Sequence, residues 1–399
     1  MKYQFREEVA HAEKAAMGRM YHLAADHMKP GDHLINFASG HPSPEVFRDD
    51  MIRAYIDKAF ATNGRDILQY GPHLGLPSLR RAFRAFVNAK GDTLKDSDDI
   101  IVTYGSVEAF SLIASALLSH GDRVVVEVPT YVNAIKYFQL YGADIIGVAL
   151  EEDGVDIGAL EAAFQQGAKI FYTVPNFSNP TGVTTSEKKR KAVAALANRY
   201  HVLVIEDNVY GDLRYRGNRI PNIKEFDTDG YVAYASSVSK ITAPGLRIGF
   251  LAADRELINR VIPIKAVTTN GVNPILQQAL AFMFEEHDMY EEIEKVNAVY
   301  REKMMTMLDA MNRYFPAGVR HSSPDGGMYI WVTMPEGTDI GAFCEASAVR
   351  LCIPLTPGQG FYVKDPEKCT SMRLNFAKES LEDIRYGIQK VGELMTEYV

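Results

Sequence analysis

The stretch Ser237-Val238-Ser239-Lys240-Ile241-Thr242-Ala243-Pro244-Gly245-Leu246-Arg247 decides the reading of this chain. It follows an apolar run, residues 231–235, that reads as a buried strand. A lysine at a strand exit, behind two serines and ahead of an arginine, combines a nucleophilic amine with an anion cradle. That combination suits a Schiff base with pyridoxal phosphate (PLP). Lys240 would bind the aldehyde, and Ser237, Ser239 and Arg247 would bind the phosphate. A lysine after a strand is usually a solvated loop residue, so the reading depends on the segments around it.

Those segments alternate. Residues 100–103, 123–128, 169–174, 201–205, 231–235 and 248–252 are short apolar or β-branched runs. Helical patterns lie between them, at 107–118 and 186–200 for example. Strands alternating with helices predict an α/β fold with a largely parallel sheet covered on both faces. From about Asn273 the character changes. A long amphipathic charged helix over 289–311 leads to a strand at 327–332, which predicts a smaller α+β domain. The division expected is 1–45 as an N-terminal segment packing with the small domain, 46–288 as the large domain and 289–399 as the small one.

Composition bounds the function. The chain has 399 residues and 47% hydrophobic content, which suits two domains at ~100–200 residues each. A net charge of −8 argues against a nucleic-acid surface. No apolar run is long enough to span a membrane, and no signal-peptide pattern opens the chain. Cys344, Cys352 and Cys369 have neither metal-ligand spacing nor even pairing, so a reducing cytoplasm is expected.

In open α/β sheets ligands sit beyond the carboxyl ends of the strands, which selects four places. Tyr104-Gly105-Ser106-Val107 turns from strand into helix and offers free N–H groups to a phosphate, or simply a cap by Ser106. Pro129-Thr130-Tyr131 offers an aromatic face that could stack on a planar cofactor, or ordinary Tyr packing. Residues 175–182, Pro-Asn-Phe-Ser-Asn-Pro-Thr-Gly, are a turn by composition. Glu206-Asp207-Asn208-Val209-Tyr210 puts a carboxylate at a strand end, where it could pair with a ring nitrogen or cap a helix.

Together these segments resemble the PLP-dependent aminotransferases of fold type I, class I/II. The Asn-Pro-Thr-Gly turn, the acid-x-x-Tyr strand end and the Ser-x-Ser-Lys…Gly-Leu-Arg segment stand in that family's order, and the likeness spans nearly the whole chain. Ser39-Gly40-His41-Pro42-Ser43-Pro44 is similar to the N-terminal loop of the aminoadipate/kynurenine aminotransferase branch. Tyr70-Gly71, Gly326-Gly327-Met328 and Met372-Arg373-Leu374-Asn375-Phe376 are similar to family segments too.

The resemblance implies roles. Lys240 would form the Schiff base and then move the proton between substrate Cα and the cofactor. Asp207 would pair with the pyridine nitrogen, and Asn179 and Tyr210 would bond the 3′-oxygen. Tyr131 would stack on the ring, while Gly105, Ser106, Val107, Ser237, Ser239 and Arg247 would hold the phosphate. Arg373, with Asn179 and Gly40, would bind the substrate α-carboxylate. Tyr70 would reach the phosphate of a neighbouring subunit, which implies a homodimer. The reaction implied is transfer of an amino group from an L-amino acid to a 2-oxo acid such as 2-oxoglutarate. A β-lyase or decarboxylase on the same scaffold, or the effector-binding domain of an aminotransferase-like transcription regulator, are the alternatives.

The chain departs from the pattern in places. Val107 stands where many relatives have an amide or acid, leaving only its backbone N–H for the phosphate. His41 stands where that branch often has leucine, beside the substrate side chain. Arg19 is offset from the position of a distal-carboxylate clamp and reads as a solvated surface residue.

Overall fold

The apolar runs between residues 98 and 254 form one sheet in the computed structural model of the protein, which describes Tyr3, Gln4, residues 6–10 and residues 16–399. Its strands are β1 (Asp98–Thr103), β2 (Arg123–Val128), β3 (Asp144–Glu151), β4 (Gly154–Val155), β5 (Ala168–Thr173), β6 (Leu203–Asp207), β7 (Val232–Ser237) and β8 (Gly249–Asp254). They lie in the order β1-β8-β7-β6-β5-β2-β3-β4. The core from β3 through β2, β5 and β6 to β7 is parallel. β8 runs antiparallel to both β7 and β1. The central strands read as continuous apolar runs because both faces are covered: Val124, Val126, Ile170, Ile205 and Leu251 pack in one cluster, Val125, Phe171 and Val204 in another.

Two local readings shift. The sequence placed a strand at 201–205, but β6 begins at Leu203. His201 takes a left-handed φ of 54° and ends the helix Glu187–Tyr200, so the chain becomes extended only after it. Ser106 is not a helix cap either. The helix Gly105–Leu117 starts two residues earlier than such a cap would set, with Tyr104 at its cap position.

The long helix Met289–Tyr314 buries Met289, Ile293, Val296, Tyr300, Met304, Met307 and Met311, a spacing of threes and fours that makes one apolar stripe. It packs on the helix Leu381–Met395. Beside it lies an antiparallel sheet of β9 (Arg320–His321), β10 (Tyr329–Thr333), β11 (Thr356–Pro357) and β12 (Ser371–Asn375), in the order β11-β12-β10-β9. Residues 35–38 join this part of the chain: Ile35 N–H donates to the Cys352 carbonyl at 3.2 Å and Asn375 N–H to the Phe37 carbonyl at 2.8 Å. Residues 1, 2, 5 and 11–15 of the expected N-terminal segment lie outside the described residues. Among those described, no helix is long and apolar enough to cross a membrane.

Candidate active site

The parallel strands point their carboxyl ends at one cavity of about 310 Å³, lined by residues of the large sheet's loops and by Gly40, Tyr329 and Arg373. Lys240 enters it from just beyond β7. Ser237 ends that strand, and its hydroxyl accepts from Ser239 N–H at 3.2 Å, turning residues 238–240 into a short 3₁₀ helix. The Lys240 Nζ donates to the Gly40 carbonyl at 2.9 Å. Burial pushes the Lys240 amine below its ordinary value; Tyr329 works against that shift, and Arg373 and Arg247 add to it.

Asp207 ends β6 and is buried. Its Oδ2 accepts from the Tyr172 hydroxyl at 2.7 Å. Its Oδ1 is buried with no hydrogen-bond partner. Burial pushes the carboxyl up to about 6, against the lowering contacts of Tyr172 and Ser106. An unpartnered buried oxygen costs stability unless something fills the cavity beside it.

The loops carrying Asn179 and Asp207 are anchored by a buried polar network. Arg190, fully buried, donates to the Pro175 carbonyl at 2.9 Å and Asn176 Oδ1 at 2.7 Å. Asn176 in turn donates to Asn208 Oδ1 at 2.7 Å, and Asn208 donates to the Tyr234 hydroxyl at 2.6 Å. The satisfied chain fixes both strand-end loops relative to each other.

Arg373 comes from the other sheet. The period of two along β12 sends Met372 and Leu374 into the core cluster and puts Arg373 and Asn375 on the opposite face. Arg373 Nη1 donates to Asn179 Oδ1 at 2.9 Å, and Nη2 to the Ala38 carbonyl at 2.8 Å. Asn375 Nδ2 holds the same loop through the carbonyls of Ser39, at 2.6 Å, and His41, at 3.0 Å. His41 is not among the residues lining the cavity; partial burial of its ring first, then the charges of Lys240 and Lys378, lower its pKa. Arg19 is exposed and pairs with Glu345 at 2.5 Å.

The remaining expected residues fall around the same cavity. Gly105, Ser106 and Val107 form the first turn of the helix Gly105–Leu117, where N–H groups lack helical partners. Gly105 has φ 73°, and a Cβ there would stand 2.9 Å from Arg247 Nη2, so only glycine lets the guanidinium close over this turn. The hydroxyls of Ser237 and Ser239 lie 2.8 Å apart. Tyr131 and Tyr210 line the wall, their phenols raised by burial. Tyr70 is not brought in: it is 83% exposed and does not line the cavity. A second cavity, of about 360 Å³ around Asp212 and Lys90, is lined by none of the expected residues.

Three functional neighbours had no signal of their own in the sequence. Tyr172 and Tyr329 sit inside apolar strand patterns and look like core, and Asn375 sits in a strand as an ordinary buried polar residue. Among the described residues no group of three or more His, Cys, Asp or Glu could hold a metal ion.

A family model described as Aminotransferase class I and II matches residues 32–391. The chain is similar to aromatic-amino-acid aminotransferase 1 of Thermococcus litoralis, 35% identical over 91% of this chain and 88% of that one. It is also similar to the crystal structure of the multiple substrate aminotransferase from Thermococcus profundus, with a TM-score of 0.93 and 34% identity over 99% of this chain and 98% of that one. The crystal structure of Pyrococcus horikoshii kynurenine aminotransferase, in complex with PMP, aligns with a TM-score of 0.92 and 32% identity over 98% and 97% of the two chains.

Proposed function

The chain belongs to the aminotransferases of class I and II, and from that premise we propose that Lys240 carries its cofactor while Asp207 and Arg373 divide the cavity between cofactor ring and substrate carboxylate. It is a PLP-dependent aminotransferase of fold type I. The reading of the site is carried by one observation: the amine of a half-buried lysine, a buried carboxylate oxygen without a partner and a buried guanidinium line a single cavity at the strand ends.

The residues fit the cofactor. The orphaned Asp207 Oδ1 offers an acceptor to a protonated ring nitrogen. The first turn of the helix Gly105–Leu117, with Ser237, Ser239 and Arg247 beside it, offers donors to a phosphate. Tyr131 offers a face for stacking, and Asn179 and Tyr210 offer hydrogen bonds to the 3′-oxygen. When bound, PLP supplies an aldehyde that captures primary amines and a cationic ring that accepts the electron pair left at Cα.

The protein's own groups do the rest. The depressed pKa of Lys240 leaves more of its amine unprotonated and so nucleophilic. The same amine, once free, would be the base that takes the proton from the substrate Cα and the acid that returns it. The Asp207 carboxylate would face the ring nitrogen and favour its protonated form. Arg373, its planar fork oriented by Asn179 and the Ala38 carbonyl, takes the α-carboxylate, with Gly40 beside it in the cavity lining. An L-amino acid donates, and 2-oxoglutarate or another 2-oxo acid accepts. We further propose a cytoplasmic homodimer in which the exposed Tyr70 completes the neighbour's phosphate site.

Borohydride reduction of the holoenzyme followed by peptide mapping tests the assignment. PLP should be fixed to Lys240, and Lys240→Ala should abolish transamination while keeping some noncovalent PLP. A reduced adduct on another lysine would sink it.

A further inference from the structure

Tyr329 opens β10 directly after the Gly326-Gly327-Met328 turn and is 3% exposed. Its ring lies under Arg373, whose guanidinium carbon is 4.2 Å from the ring centroid. Its hydroxyl accepts from the Tyr210 hydroxyl at 3.4 Å, and the two rings meet edge to face at 5.8 Å. A Cβ built on Gly40 would stand 2.7 Å from that same hydroxyl, and among the described residues beyond its chain neighbours the only other atom within 4 Å would be Tyr329 Cζ at 3.9 Å. Gly40 is also the residue whose carbonyl receives the Lys240 amine at 2.9 Å. One phenol therefore supports the carboxylate-binding arginine, pairs with Tyr210 and stands beside the residue whose carbonyl receives the lysine.

We propose that Tyr329 is a positioning residue for the transamination site: its ring supports Arg373, and its hydroxyl, which occupies the space a side chain at Gly40 would take, sets where the Gly40 carbonyl and the Lys240 amine stand. This rests on the reading of Lys240 and Arg373 given above. The electrostatics agree with the geometry. Burial works to raise the Tyr329 phenol, but the charges of Arg373 and Lys240 leave it below its ordinary value, and the phenol in turn favours the cationic form of Lys240. The other charged or titratable groups facing this pair are Arg247 and His41 on the lysine side, and Tyr210 and Tyr131 on the phenol side.

The close approach between Gly40 and the hydroxyl makes the inference testable by a double-mutant cycle on the holoenzyme. Gly40→Ala forces a methyl against the hydroxyl and should lower kcat/KM on the order of tenfold. Tyr329→Phe keeps the ring under Arg373 and removes the clashing atom. Adding Gly40→Ala to it should cost less than about threefold more. With the phenol oxygen gone, the pH midpoint of the bound cofactor's absorbance change should fall by about half a unit or more. That shift would not follow from a role in packing alone. Additive losses in the cycle, or a midpoint that stays or rises in Tyr329→Phe, overturn the proposal. Borohydride mapping of the same variants keeps the two readings apart. An adduct on Lys240 with additive losses rejects the role of Tyr329 alone, whereas an adduct elsewhere rejects the Lys240 assignment and this inference with it.

Discussion

The Tyr172 hydroxyl donates to Oδ2 of Asp207 at 2.7 Å and leaves Oδ1 buried without a partner. The two residues sit on neighbouring parallel strands, β5 and β6, so the sheet itself sets their approach. The bond orients the carboxylate and works to hold its pKa down against the burial that pushes it up to about 6. The free oxygen is the one available to a cationic ring.

Asp207→Asn keeps the shape and the Tyr172 contact but removes the charge. The proton at Cα should leave at least ~100-fold more slowly, as when a preorganised electrostatic group is lost from an active site. The fold should survive, because a buried anion short of partners is itself destabilising. Rapid mixing of the variant with an amino donor, followed at the cofactor's absorbance, checks this. A near-normal single-turnover rate would mean that Asp207 is not the ring's partner.

How much of this was legible beforehand follows from which residues speak locally. Lys240, Asp207 and Asn179 sit where a strand ends in punctuation, and period and turn chemistry mark such places. β3 escaped although it carries Ile145, Ile146, Val148 and Leu150: Gly147 interrupts the run, and Val148 is its one buried residue, so it lacks the fully buried pattern of the central strands. The antiparallel setting of β8 also escaped, since its apolar run reads the same in either direction. Arg373 was found only through the family likeness, and Tyr329 not at all. A tyrosine in an apolar strand has the same sequence signature whether it fills a core or faces a lysine. What separates the two is a contact between residues 40 and 329, which no local pattern carries.

Two arginines line the cavity, and the structure separates their supports. Arg373 is fully buried against Asn179 and Ala38, whereas Arg247 is exposed and donates to the Tyr104 carbonyl at 3.3 Å. Arg373→Lys loses the planar fork and should weaken amino and oxo acid substrates ~10- to 150-fold whatever their side chain, with PLP affinity nearly intact. Arg247→Ala should loosen PLP first. Titrating PLP and one substrate into each variant compares them, and the reverse pattern would show that the two roles are exchanged.

The last prediction concerns stability and a group outside the cavity. Glu127 is buried in β2, where its carboxyl accepts from the Thr173 hydroxyl at 2.7 Å and Val174 N–H at 3.2 Å. Burial outweighs both bonds and pushes its pKa up from 4.5 to about 7. The folded protein therefore holds this proton more tightly than the unfolded chain does. Between those two values the native state binds more protons, so this group's contribution to stability falls as pH rises from about 4.5 to about 7, and is level above that. Glu127→Gln has no proton to lose and should be flat over the same window. Its stability relative to the parent should rise by about 1–3 kcal/mol between pH ~5 and pH ~8. Measuring the difference between the two proteins cancels Asp207 and Asp212, whose carboxyls burial also raises, to about 6. Urea unfolding of both at the two pH values gives the answer. A constant difference would mean that Glu127 is already ionised in the fold at the lower pH.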